Sequence, residues 1–166
     1  DEIKKEGFTI DEEIFMTLDG YNSYTTCKSM GVFMISFTDI VKNYKPDWVV
    51  LAGDRYETLA ASIVCAYSNI SIAHIQAGEL SGNIDGQARH AIGKFSHLHF
   101  ASNTDAYKRL IKLGEEKFRI KLVGAPQLDD LEKNRKKIEN YEQVRQKYNL
   151  PSKKKYLLAV YHPVTE

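Results

Sequence analysis

Residues 47–102, DWVVLAGDRYETLAASIVCAYSNISIAHIQAGELSGNIDGQARHAIGKFSHLHFAS, hold three short apolar runs, DWVVLAG, ISIAHI and HLHFAS. Two longer segments, 55–68 and 86–97, separate them and carry apolar residues at helical spacing. The runs are near-continuously apolar rather than alternating, the pattern of strands with helices on both faces. Strand, helix, strand, helix, strand in this order predicts a parallel sheet.

Working outward, residues 26–44 place Met30, Phe33, Met34, Phe37, Ile40, Val41 and Tyr44 on one helical face, and Pro46 stops the pattern. IFMTL (14–18), RIKLVG (119–124) and KYLLAVYH (155–162) read as further strands, and 103–113 and 139–148 as further helices. The expectation is a doubly wound, Rossmann-like α/β domain, a parallel sheet flanked by helices. Lys133 to Lys155 is densely charged and reads as a solvated helix face followed by a linker. Pro151 and Ser152 mark a boundary, which gives residues 1–150 as one domain and 151–166 as a linker with the first strand of another.

Bulk composition narrows the function classes. With 43% hydrophobic residues, 27% charged residues and a net charge of +1, the chain has a normal core and no basic field for nucleic acid or anionic membrane. No run approaches the ~20 apolar residues of a membrane span, and the N-terminus lacks the apolar core of a signal peptide. Cys27 and Cys65 form no CxxC pair, and Cys65 lies in the apolar run AASIVCAY as a buried thiol would. These features predict a soluble cytoplasmic protein without a nucleic-acid or membrane partner.

In open parallel sheets, ligands collect at the carboxyl ends of the strands, where loops are free of packing duties and helix N-termini face the crevice. Asp54 and Arg55 follow WVVLAG, Gln76 to Asp85 follow ISIAHI, and Ser102 to Asp105 follow HLHFA. Three successive loops therefore bring their polar residues to one edge. The turn LAGDRYE has a single glycine where a dinucleotide fingerprint needs three, and GxxxxGK[ST] and GxSxG are absent. His97 and His99 alternate along one strand, so no metal cluster forms by spacing. Carboxylates, an arginine and histidines on loops suit proton transfer on a polar substrate, with no metal and no cofactor.

Each candidate also has a plainer reading. Asp54 could cap the following helix, Glu79 could be a solvated loop acid, and Arg89 could pair with Asp85 along its own helix. His74, His90, His97 and His99 fit structural roles as well as catalytic ones.

GDRYE, NISIAHIQAGELSGNID, RHAIGKFSHLHF, KLGE and VGAPQLD, in this order, resemble the hydrolysing UDP-N-acetylglucosamine 2-epimerase family of sialic-acid and related nonulosonic-acid synthesis. The similarity runs over roughly residues 30 to 166. It implies one half of a glycosyltransferase-B-type two-domain fold, with the first strand missing and the second domain truncated after YLLAVYHPVTE. Such a fragment is expected to be inactive alone, and the intact protein to be a homo-oligomer acting on a nucleotide sugar.

The family reaction removes the C2 proton, expels UDP from C1 and adds water to the resulting glucal. The resemblance implies Asp54, Glu79 and Asp85 as acid/base groups. Arg55, Gln76, Arg89, His90 and His162 become substrate-binding positions. The pattern departs at Gln76 and Gly86, where many relatives carry a carboxylate. Three alternatives stay open: the same chemistry on UDP-diacetylbacillosamine, a non-hydrolysing epimerase, or a sugar-nucleotide-binding module without catalysis.

Overall fold

The computed structural model describes residues 2–20, 22–137, 141–151 and 155–161. They fall into two compact units, Asp1–Val123 and Gly124–Glu166. The sequence reading put the domain boundary near Pro151.

The first unit opens with a single helical turn, α1 (Glu2–Lys5), and then the long α2 (Ser23–Tyr44). Asn22 starts α2 as a capping box: its side chain accepts from the Tyr24 and Thr25 amides, both at 3.0 Å, and Thr25 Oγ1 accepts from the Asn22 amide. Lys45 ends the helix with φ 48°, ahead of Pro46. Then follow β1 (Trp48–Ala52), α3 (Tyr56–Tyr67), β2 (Ser71–Ile75), α4 (Ile84–Phe95), β3 (Leu98–Ala101), α5 (Thr104–Lys112), a 3₁₀ turn at Lys117–Arg119 and β4 (Ile120–Leu122). Asn83 and Asn103 cap α4 and α5 by accepting the Asp85 and Ala106 amides at 3.2 and 2.8 Å.

The sheet is parallel throughout, in the order β1-β2-β3-β4. Its register aligns Leu51 with His74, His74 with His99, and His99 with Ile120, so these four share one face. The core is built on that face. Leu51 and Ile72 pack with Ala61 and Cys65 of α3 and Ile92 of α4, and Phe33 and Phe37 of α2 lean on the same cluster. Ala101 and Ile120 pack with Ala106 and Leu110 of α5. Ile72, Ile92 and Cys65 are fully buried, so truncating either isoleucine to alanine costs about 2–5 kcal/mol.

The parallel sheet and its flanking helices match expectation. Strands that follow one another in order, with crossovers of one hand, put α3, α4 and α5 on the same side. On the opposite face Trp48 and Val50 remain open, Val50 at 61% exposure. The strand expected at IFMTL is absent. Residues 14–18 have no sheet partner, and Phe15 is 89% exposed. An apolar β-like run without a neighbouring strand cannot satisfy its backbone in a ladder.

A second polar cluster lies in this unit, away from the strand ends. The buried Glu115 carboxylate accepts from Lys94 Nζ at 2.7 Å, and its other oxygen lies 3.2 Å from His99 Nε2. Arg119 Nε donates to the His97 carbonyl at 2.8 Å, and its guanidinium also reaches the Ser96 carbonyl. Burial is the first cause holding His99 below the usual histidine range, against the opposing pull of Glu115. His97 Nδ1 accepts the Ile72 amide at 3.2 Å, and its ring meets Trp48 edge-on.

The second unit contains α6 (Pro126–Lys137) and α7 (Tyr141–Lys147). Helix α7 falls within the expected 139–148, whereas α6 was anticipated only from Lys133 onward, as the start of a charged helix face. The predicted strand KYLLAVYH is corrected: residues 155–161 form no strand.

Candidate active site

Arg89, near the middle of α4, is the centre of the strand-end cluster. One guanidinium nitrogen, Nη2, donates to Asp54 Oδ2, and Nη1 donates to Glu79 Oε2 at 3.1 Å. Asp54 comes from the turn after β1 and Glu79 from the loop after β2. The Arg89 side chain is 9% exposed, and Asp54 and Glu79 are 17% and 24% exposed. One buried cation thus sits between two carboxylates that each keep a path to solvent. The Arg89 Nε donor is buried without a partner among the described residues.

Hydroxyls complete the arrangement. Ser81 Oγ donates to Asp54 Oδ2 at 3.0 Å, and Ser102 Oγ donates to Glu79 Oε1, the oxygen that Arg89 leaves open. Both Glu79 oxygens are therefore occupied. Among the described residues, Asp54 Oδ1 receives no hydrogen bond.

The backbone that carries the carboxylates is held from behind. Gly53 has φ +82°. Its amide donates to the Ile75 carbonyl at 3.3 Å, and its carbonyl lies 2.8 Å from His74 Nε2. A carbonyl only accepts, so His74 carries its proton on Nε2. Burial lowers the His74 pKa to about 4, with His99 and Arg89 adding to the depression and the Gly53 carbonyl opposing it.

Gly78, next to Glu79, has φ +79°, and a Cβ there would stand 2.6 Å from the Ala106 carbonyl oxygen of α5. Its own carbonyl accepts from Arg109 Nη1 at 2.8 Å, and Arg109 also holds Asp105 at 2.6 Å. The loop bearing Glu79 is thereby pressed onto α5.

Among the sequence candidates, the structure brings together Asp54, Glu79 and Arg89. Asp54 does not cap α3, whose N-cap is Arg55 with no side-chain cap bond. Arg89 reaches past Asp85 to the two strand-end carboxylates. Asp85 pairs instead with Asn83, whose Nδ2 donates to it at 3.1 Å. Arg55 turns outward and grips Glu57 at 2.9 and 3.1 Å. Gln76 ends β2 in the left-handed region at φ 61°. His90 follows Arg89, and burial first, then Arg109 and Arg89, keep its imidazole below the usual range. His162 lies outside the described residues.

Sequence reasoning missed Ser81, Ser102 and Arg109. The loops containing Ser81 and Ser102 are both marked by their places after strands, but neither serine stands out within its loop. No group of three His, Cys, Asp or Glu residues suited to a metal ion occurs among the described residues, and no described helix is long and apolar enough to cross a membrane.

A Rossmann-like parallel α/β domain with two carboxylates joined by a buried arginine at its strand ends is what fold and site define together. A family model described as UDP-N-acetylglucosamine 2-epimerase matches residues 1–166. The chain belongs to that family.

It is 38% identical over 165 residues to a UDP-N,N'-diacetylbacillosamine 2-epimerase (hydrolyzing) of Legionella pneumophila, covering 99% of this chain and 43% of that protein. It is 40% identical over 121 residues to a UDP-N-acetylglucosamine 2-epimerase of Neisseria meningitidis, covering 73% and 31%. Among solved structures, UDP-GlcNAc 2-epimerase of Methanocaldococcus jannaschii matches with a TM-score of 0.65 at 28% identity, over 78% of this chain and 36% of that one. A UDP-GlcNAc 2-epimerase from N. meningitidis, solved bound to UDP-GlcNAc, matches in fold with a TM-score of 0.75 at 22% identity, over 89% of this chain and 41% of that one. The chain spans less than half the length of each of these relatives, consistent with one half of a glycosyltransferase-B-type fold.

Proposed function

We propose that this chain is the acid–base half of a hydrolysing nucleotide-sugar 2-epimerase, working on UDP-N-acetylglucosamine to release UDP and N-acetylmannosamine. The observation that carries the reading is the sharing of Arg89 by two strand-end carboxylates of unequal freedom. Both Glu79 oxygens are engaged, while Asp54 keeps Oδ1 for a proton. The C2 proton of such a sugar is weakly acidic, so its removal needs a carboxylate fixed in place and partly shielded from water.

Asp54 Oδ1 takes or returns the C2 proton in this scheme. Glu79 and Arg89 hold the frame and face the sugar and the departing diphosphate. Neutral His90 beside Arg89 can donate to or accept from a hydroxyl without adding charge. Asp85, in the first turn of α4 and held by Asn83, is a third acid assigned to the reaction. Contacts to uridine come from the remainder of the protein, which acts as a soluble cytoplasmic homo-oligomer in surface-glycan precursor synthesis.

The same reaction on UDP-diacetylbacillosamine is a second reading, favoured by the 38% identity to the Legionella relative across nearly the whole chain. Incubating the intact protein with each sugar nucleotide in deuterated water tests both. Released UDP together with deuterium at C2 of the free sugar is expected from one of them. Neither product from either substrate rejects the proposal. Inverted sugar still attached to UDP would make the protein a non-hydrolysing epimerase, and tight UDP binding without turnover a binding module.

A further inference from the structure

We infer that Gly86 and Ser81 act as one positioning unit for Asp54: the missing side chain at 86 lets the loop after β2 settle on α4, and this aims the Ser81 hydroxyl at Asp54. The inference rests on the reading of Asp54 as the proton-transfer group and adds the parts that orient it.

Gly86 lies in the first turn of α4, buried, with ordinary helical backbone, so left-handed geometry is not the reason for a glycine. Space is the reason. A Cβ built on Gly86 would stand 2.6 Å from the Ser81 carbonyl oxygen and 3.2 Å from the Ser81 amide nitrogen. Both neighbours are backbone atoms, so no side-chain rotation relieves the clash, and the segment carrying Ser81 must lift off the helix.

That segment has little slack. Gly78 is pressed against the Ala106 carbonyl on its other side, with its own carbonyl held by Arg109 at 2.8 Å. Asn83 is tied to the start of α4 by its cap. Between these two anchors, Ser81 donates to Asp54 at 3.0 Å across 27 residues of sequence.

The chemical consequence follows from which oxygen is chosen. Ser81 and Arg89 both donate to Oδ2, so the negative charge and the rotamer are fixed on that side, and Oδ1 is left without a hydrogen bond among the described residues. Without Ser81, the carboxylate keeps a single anchor, about which it can swing. A proton acceptor misplaced by a fraction of an ångström loses rate while the substrate still binds. Ser81 thus acts through Asp54 and need not touch the sugar.

The test uses the intact enzyme and its Ser81→Ala, Ser81→Thr, Gly86→Ala and Ser81→Ala/Gly86→Ala variants. Ser81→Ala should lower kcat about tenfold with KM within about twofold, the loss expected for a hydrogen bond to a charged group. Ser81→Thr, which keeps the hydroxyl, should recover most of kcat. Gly86→Ala should lower kcat comparably, and the double variant should be no slower than the slower single one, because both remove the same contact.

Losses that multiply to about a hundredfold in the double variant, no recovery by threonine, or a change confined to KM each overturn the inference. If Gly86→Ala does not fold, the alanine and threonine variants at Ser81 decide it by the kcat and KM split. An unmodified enzyme that turns over neither sugar nucleotide sinks the functional reading instead. Crystal structures then judge the coupling: Ser81 displaced from Asp54 in Gly86→Ala supports it, and Ser81 still donating to Asp54 overturns it.

Discussion

Two polar clusters sit in the same sheet-and-helix unit and are built to opposite ends. Around Glu115, one buried carboxylate meets one lysine and a neutral histidine, so charge balances. Around Arg89, one cation is outnumbered by two carboxylates, and the excess negative charge is held by serine hydroxyls at the mouth of the strand-end loops. The first cluster ties the end of α4 to the segments flanking β4. The second leaves Asp54 Oδ1 and Arg89 Nε without partners among the described residues. The Glu115 cluster also leaves the His99 ring nitrogens without a hydrogen-bond partner among the described residues, so the two clusters differ in charge balance and exposure rather than in saturation.

The sharpest way to break this comparison is Asp54→Asn in the intact enzyme. An amide cannot take the proton, so kcat should fall about 10²-fold or more with KM nearly unchanged, measured by UDP release. Retained activity with a lower melting temperature would instead return Asp54 to a structural role.

Acid should act next, through the histidine behind Asp54. An ordinary histidine protonates near 6.5, whereas His74 stays neutral down to about 4 in the fold. The unfolded chain therefore takes up the proton first as pH falls. Stability from neutral burial is complete above about 6.5 and is lost toward 4, by about 3 kcal/mol. Denaturant titrations at stepped pH should show this slope, and His74→Gln should reduce it; a slope unchanged by that substitution would assign it to other groups. His90 and His99, also depressed, act in the same direction.

Glu115→Gln sharpens the contrast from the other side. It should cost about 1–2 kcal/mol of stability by weakening the Lys94 contact, while kcat per folded molecule stays unchanged. A tenfold loss of kcat would mean the two clusters communicate. Smallest is Ser102→Ala, which frees one Glu79 oxygen and should lower kcat about two- to fivefold, the net value of a modest hydrogen bond. A loss as large as that of Asp54→Asn would move the principal acid–base role to Glu79.

Much of the architecture was legible because it is local. Pro46 announces a helix stop and the apolar runs became β1 to β4, whereas the caps at Asn22, Asn83 and Asn103 emerged only with the structure. The strand-end rule also selected the loops that carry Asp54 and Glu79, and the family resemblance added Arg89. What failed depends on distant partners. IFMTL has strand composition but no neighbour to pair with among the described residues. Helix α6 is so polar that its face does not stand out, although Pro126 at its first position was a usable sign. Ser81 and Ser102 are ordinary loop serines until the fold carries them across 27 and 23 residues to their carboxylates.

Cys65 and Cys27 give the molecule an internal clock. Cys65 is wholly enclosed beneath α3, and burial pushes its thiol up to about 11, while Cys27 is open to solvent. An alkylating reagent at neutral pH will modify Cys27 at once and reach Cys65 only when the helical layer parts from the sheet. The lag between the two modifications times that opening directly, with no label to introduce.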